Sequence, residues 1–337
     1  MLCVFSDLHH QLDSKVAFAI GNAYATSTLA TRRSQARRYL RFCRELDLVP
    51  LPVSVLNICR YIVYLMDSIK YSSIIGYLDG LKWLHIHLGY EPPALDAQKV
   101  KLTLRGVKRL LGNPRNQKLP ITPDILLAIR SVMDLTDLAQ RALWAAYILA
   151  FFTFFRKSNL VCPSAIKFDP KKHLQRGDFN FYSWGMVITV RWSKVIQFQD
   201  RVLLIPVARI PGHPLCPVRA LSDYFDSCPV SADSPAFMVP SRKGQLTALT
   251  YSSLSAHLKK VLELAGLPAS DYSSHSFCRG GATFCSSLNI SHELIQLQGD
   301  WSSMAYLTYL ARPLSQCFQL ARKMAAHLAS GGGLGPH

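Results

Sequence analysis

His275-Ser276-Phe277-Cys278-Arg279-Gly280-Gly281, then Gly299-Asp300-Trp301, then Ala305-Tyr306-Leu307-Thr308-Tyr309-Leu310, is the stretch that decides the reading of this chain. A histidine, an arginine, a tryptophan and two tyrosines follow at short intervals, and Tyr309 stands nine residues beyond Asp300. These are side chains that move protons, grip a phosphate through a forked guanidinium, and attack as an oxygen nucleophile. Helices are expected at about Arg279 to Leu288 and His292 to Gln298.

Outward from that stretch, composition sets bounds. The chain has 337 residues, 49% of them hydrophobic, enough to bury a sizeable core in two domains. Lys and Arg number 38 against 21 Asp and Glu, a net charge of +17 that points to a polyanion or an anionic surface as partner. The longest apolar run, Ala142 to Phe152, is bracketed by Arg141 and Arg156 and is shorter than the roughly 18 residues a membrane-spanning helix needs. It is expected to be a buried core helix, and no membrane partner is expected. Met1 to Lys15 lacks a cationic start and carries Asp7 and Asp13, so it does not read as a secretory signal. Nine cysteines, odd in number and without a C-x-x-C pair, fit a reduced intracellular compartment and no structural metal.

Residues 14–117 read as a helical domain. Ser27-Thr28 are expected to cap a helix running to about Leu46, in which Ala36, Tyr39, Leu40 and Cys43 share one face and Arg33, Arg37, Arg41 and Arg44 another. Ser54 precedes a second helix (Val55, Ile58, Ile62, Leu65), and Ser72-Ser73 a third (Ile74, Tyr77, Leu78, Leu81, Leu84, Leu88) that stops at Gly89. A fourth covers Ala97 to Leu111 and carries Lys99, Lys101, Arg105, Lys108 and Arg109. Between residues 27 and 118 there are 16 basic and 6 acidic side chains, so this third of the chain supplies +10 of the +17. Gly112-Asn113-Pro114-Arg115-Asn116-Gln117-Lys118 breaks the periodicity and reads as a linker.

A second domain, 118–328, mixes element types. Thr122-Pro123 open a helix, Leu126 to Phe155 reads as helical throughout, and Val/Ile-rich Met186 to Arg191 and Val202 to Val207 read as two strands joined around Lys194. Helices return at about Pro217 to Phe225 and Ser252 to Leu264, while residues 329–337 hold nothing that forms a core and are expected to be disordered. The expected fold class is mainly α (α+β), with a small antiparallel sheet.

The ordered motifs resemble the tyrosine recombinases of the phage-integrase family over about Tyr24 to Met324. Phe154-Phe155-Arg156-Lys157-Ser158-Asn159-Leu160 is similar to the segment bearing that family's first catalytic arginine. Trp192-Ser193-Lys194, with Arg201 to Pro206, resembles the hairpin whose turn carries the catalytic lysine. His275, a Gly followed by Asp300 and Trp301, and Tyr309 complete the order. The wording around His275 and Trp301 resembles most the recombinases of Crypton-like eukaryotic transposable elements and their host-captured relatives, which implies a nuclear setting.

The resemblance implies a helical core-binding domain, a mostly helical catalytic domain, and double-stranded DNA as partner, bound as a dimer or tetramer. Tyr309 is the implied nucleophile, ahead of Tyr306, whose spacing from Asp300 is only six. Arg156 is the phosphate clamp, Lys194 the general acid, His275 the base or phosphate donor, and Trp301 the partner in the second His/Trp position. Neither a metal, another cofactor nor a small-molecule substrate is implied. The basic helices, through Arg33, Arg37, Arg41, Arg44, Lys101, Arg105 and Lys108, are the implied DNA contacts. One position departs from the pattern: the second arginine is replaced by Cys278, a weak donor without charge, and Arg279 comes one residue late. Three functions therefore stand side by side: recombination or integration through a 3′-phosphotyrosine, DNA binding by a catalytically dead host-captured or decaying relative, and a helical protein-interaction module.

Overall fold

The computed structural model describes residues 2–113, 117–193, 196, 201–241, 243–301, 307 and 322. The chain separates into two compact units, residues 1–116 and 117–337.

The first unit is made of helices α1 (Leu2–Gly21), α2 (Thr26–Glu45), α3 (Val55–Met66), α4 (Tyr71–His87) and α5 (Gln98–Leu111). Its core is aromatic at the centre. Tyr39, Phe42 and Tyr61 are each at most 1% exposed, and Tyr61 lies 5.1 Å from both of the other rings. Burial of a side chain of this size stabilises by about 1.5–3 kcal/mol. Ser54 caps α3 by accepting a hydrogen bond from the Asn57 amide at 3.2 Å, as the sequence suggests. On α2, Arg32 and Arg38 serve the fold: Arg32 donates to the Gly76 carbonyl at 3.3 Å, and Arg38 lies over the Tyr77 ring. Arg33, Arg37, Arg41 and Arg44 remain exposed, as do Lys101, Arg105 and Lys108 on α5. Helix α1 begins before the expected start of the domain at residue 14, runs past it, and is exposed from Leu8 onward. From Leu8 onward it buries nothing, and a face that packs on nothing needs no apolar stripe for periodicity to reveal.

The second unit holds α6 (Pro123–Ser131), α7 (Leu138–Thr153), α8 (Lys157–Leu160), α9 (Pro217–Ser227), α10 (Tyr251–Leu264), α11 (His275–Ser287) and α12 (His292–Gln298). Strands β1 (Phe179–Phe181), β2 (Gly185–Val190) and β3 (Leu203–Ala208) form an antiparallel sheet in the order β1-β2-β3, and β4 (Met238–Pro240) pairs with β5 (Leu246–Ala248). Ile188 and Ile205 face each other across β2 and β3 and are buried together. The expected continuous helix over Leu126 to Phe155 is two helices. Asp134 accepts from the Thr136 amide at 2.9 Å, and Asp137 then caps α7 by accepting from the Gln140 amide at 3.0 Å. These short acidic side chains offer the backbone a turn in place of a helical bond. Helix α7 is buried along most of its length, from Ala142 to Phe151. Helix α11 likewise begins at His275, four residues ahead of its expected start.

What positions the site is the approach of α11 to its neighbours. A Cβ on Gly280 would stand 1.8 Å from the Ile121 carbonyl oxygen, and one on Gly281 would stand 2.1 Å from that of Phe151. Glycine at both positions lets α11 lie directly on the segment before α6 and on the end of α7. The Ile121 amide donates to the Ser276 carbonyl at 2.9 Å and locks that seam. Gly280→Ala is therefore expected to destabilise the second unit by about 3 kcal/mol, the upper range for overpacking against an unyielding neighbour. Gly106→Ala on α5, where a Cβ meets nothing within 4 Å, is expected to be neutral or stabilising by up to about 1 kcal/mol. Urea titration of both variants checks the contrast.

Candidate active site

Helix α7 ends at Thr153 because Phe154 takes a left-handed conformation, φ 56° and ψ 25°. The chain turns there and presents Arg156 at the entrance to α8, where the Arg156 amide donates to Asn159 Oδ1 at 3.3 Å. The last carbonyls of a helix have no partner in the helix itself. Here two are met from outside: Gln298 on α12 donates to the Phe152 carbonyl at 3.0 Å, and the Cys278 thiol on α11 donates to the Phe154 carbonyl at 3.0 Å. The same turn thus fixes Arg156 and anchors the two helices that carry the C-terminal motif.

Three of the sequence-derived positions meet at this turn. His275, in the first turn of α11, keeps an exposed face while the rest of its ring is packed. Loss of water lowers its pKa from the ordinary value, and the charges of Arg156 and Lys157 lower it further. An imidazole held neutral at pH 7 is able to accept a proton. Cys278, one turn along, has no exposed surface; burial pushes its thiol up to about 12, against a smaller opposing effect of Arg156. It stays protonated and offers neither a nucleophile nor a cation.

Trp301 joins the same cluster. A Cβ on Gly299 would stand 2.6 Å from the indole, so the ring can fold back over residue 299 only because glycine is there. The indole then stacks on Phe154, with ring centroids 5.6 Å apart and planes within 6°. Asp300, at φ 47°, forms an ion pair with Arg201, next to the start of β3. Arg279 is turned to other work: its Nη1 donates to the Lys118 carbonyl at 3.0 Å, on the segment leading to α6. Lys157 was not singled out in the sequence. It adds a second cation beside Arg156, with Nζ 5.2 Å from the centre of the Tyr251 ring. The signal available was the adjacency Arg156-Lys157 itself. Lys194, Tyr306 and Tyr309 lie outside the described residues. Among the described residues no cluster of His, Cys, Asp and Glu could hold a metal ion, and no helix is long and apolar enough to cross a membrane.

No family model matches the chain. A Selenomonas ruminantium protein described as an integrase/recombinase XerD homolog is 27% identical over 281 residues, covering 82% of this chain and 78% of the relative. Among solved structures, the Tn1549 transposon integrase in complex with transposon right end DNA superposes with a TM-score of 0.61 at 16% identity, covering 94% of this chain and 98% of the other. A lambda integrase dimer bound to a COC′ core site matches with a TM-score of 0.54 at 17% identity, over 90% of this chain and 77% of the other. The chain has the tyrosine-recombinase fold. The likeness to the XerD homolog supports the tyrosine recombinase/integrase family for it as well.

The electrostatic contact gives a direct check. The His275 titration followed by NMR is expected to have its midpoint below about 6.5, the ordinary value. Since the unfolded chain binds that proton first, His275 erodes stability as pH falls below about 6.5 and has no such effect above it. Arg156→Gln removes one of the two repelling charges, so the midpoint is expected to rise while staying below the ordinary value, because the packing remains. An unchanged midpoint would separate the two side chains.

Proposed function

We propose that this chain is a DNA-binding protein of the tyrosine-recombinase type that grips a scissile phosphate with Arg156, Lys157 and His275 and cleaves slowly, if at all, for lack of a second guanidinium. The observation that carries this reading is the common neighbourhood of Arg156, His275 and Cys278 at the end of α7. The DNA named with the integrase structures above supports duplex DNA as the partner. The exposed Arg33, Arg37, Arg41 and Arg44 on α2, and Lys101, Arg105 and Lys108 on α5, supply its backbone contacts. Such contacts release counterions and give affinity that falls steeply with salt. Assembly as a dimer or tetramer on DNA, a nuclear location and descent from a Crypton-like transposable element belong to the same proposal. So do the boundaries of the two working domains, 14–117 for DNA grip and 118–328 for chemistry.

In the intact reaction the Tyr309 oxygen attacks phosphorus, its proton passing to His275. A 3′-phosphotyrosine bond forms as the bond to the 5′-oxygen breaks, and that oxygen takes a proton from Lys194. The bond energy is kept for rejoining, and no metal or nucleotide is consumed. Charge gathers on the non-bridging oxygens, where one guanidinium and one ammonium stand in place of two guanidiniums. Lysine binds as a point charge and lacks the fork that holds two oxygens at once. The missing clamp costs at least about 10²-fold in rate by comparison with the loss of a single oxyanion donor. The buried Cys278 favours the reading in which DNA binding outlives cleavage.

A nicked suicide duplex that traps the covalent protein–DNA adduct tests this. Adduct is expected to be absent or slow in the natural chain. Cys278→Arg is expected to raise its rate by about 10²-fold, at a stability cost of about 1–3 kcal/mol because the longer side chain enters a fully buried position. Tyr309→Phe in that background is expected to abolish the adduct, and Tyr306→Phe to leave it. Equal rates for the natural chain and the Cys278→Arg variant would mean that another cation fills the role.

A further inference from the structure

A cavity of about 570 Å³ opens between the C-terminal end of α6, the first turns of α7, and α9 with the loop leading into it. The buried Trp144 contributes to its lining, as do Leu135 and Ala220. Arg130, Arg141 and Arg219 also line it, with Asp223 and Asp226. Arg141 and Arg156 flank opposite ends of α7. Thirteen residues of helical rise between Arg141 and Phe154 correspond to about 20 Å, so the cavity is separate from the phosphate cluster.

The charges in it are only partly matched. Arg219 pairs with Asp223 at 3.5 Å on the exposed side of α9, and Asp226 is 3.5 Å from the Ser222 hydroxyl. Arg141 is held by backbone, Nε donating to the Leu135 carbonyl at 2.9 Å and Nη1 to the Asp223 carbonyl at 3.4 Å, so its charge faces no carboxylate there. Arg130 Nε is buried and makes no hydrogen bond among the described residues. A buried donor of this kind costs stability until an acceptor arrives. The volume lies within the range of ligand sites, which combine an apolar lining with a few fixed polar groups.

We propose that this cavity docks a short acidic segment of a partner protein, an Asp or Glu carboxylate meeting Arg130 and Arg141 while a neighbouring apolar side chain lies against Leu135. Asp223 and Asp226 argue against nucleic acid, since a run of phosphates would be repelled by them while a single carboxylate can keep clear of them. A small inorganic anion would leave the half-buried Leu135 uncovered, whereas an apolar side chain of a polypeptide covers it. The mixed rim suits a polypeptide, whose backbone amides can reach the two aspartates.

Fluorescence anisotropy on the full chain tests the proposal with labelled eight-residue peptides in which Trp or Leu is flanked by two Asp residues. The expected result is saturable binding of the Asp-flanked peptides, at least tenfold weaker binding of Lys-flanked ones, and a loss of at least tenfold in Arg130→Gln. Arg219→Gln, at an exposed position that should not disturb folding, is expected to weaken binding by about threefold. Equal binding of the acidic and basic peptides, or no binding of either, overturns the proposal. Displacement of the Asp-flanked peptide by duplex DNA assigns the cavity to nucleic acid and overturns it. So does a loss of self-association in Arg130→Gln without any peptide binding, which assigns the cavity to a second copy of the chain.

Discussion

The end of helix α7 is the constraint on which the site depends. A buried apolar helix delivers its last carbonyls into a region without free water, where each must find a donor. The left-handed turn at Phe154 aims those groups at α11 and α12, and Cys278 and Gln298 answer them. Arg156 is two residues past that turn, so its place beside His275 follows from how the helix is closed. The glycine pair at 280 and 281 is the other half of the constraint, because without close approach of α11 the thiol could not reach the Phe154 carbonyl.

That arrangement gives Cys278 a part in the fold. Cys278 sits among Phe154, Ala282, Ile295 and Trp301, all buried, and works there as a small apolar side chain with one weak donor. The packing and the hydrogen bond are gains for folding, and neither contributes charge to a phosphate. Arg279 cannot take over from its observed position while it binds the Lys118 carbonyl, on the segment leading to α6. Lys157, on α8, supplies a charge beside His275.

Much of this was legible in the sequence wherever local chemistry set the outcome. Thr122 caps α6 as expected, accepting from the Ile125 amide, whereas Ser27 and Thr28 lie inside α2, which starts at Thr26 with Ala25 at its cap and no side-chain bond there. The two strands around Lys194 pair in a single antiparallel register. The break between α6 and α7 was missed because the apolar period runs through it, although Asp134, Thr136 and Asp137 carried the turn signal. The start of α11 at His275 lies four residues ahead of the expected Arg279, where Ser274 makes no side-chain cap bond to mark the boundary. The motif order led to Arg156, His275 and Trp301 together, but nothing local could show that Cys278 caps a carbonyl 124 residues away or that Lys157 stands by the histidine.

The central claim is that Arg156 and His275 serve one phosphate. A crystal structure of the chain on a duplex whose phosphates carry single sulfur substitutions, each marked by anomalous scattering, measures this most directly. The account predicts that the Arg156 guanidinium and the His275 ring lie within hydrogen-bond distance of non-bridging atoms on the same phosphorus. Contacts to two different phosphates, or a histidine that faces no phosphate at all, would contradict it.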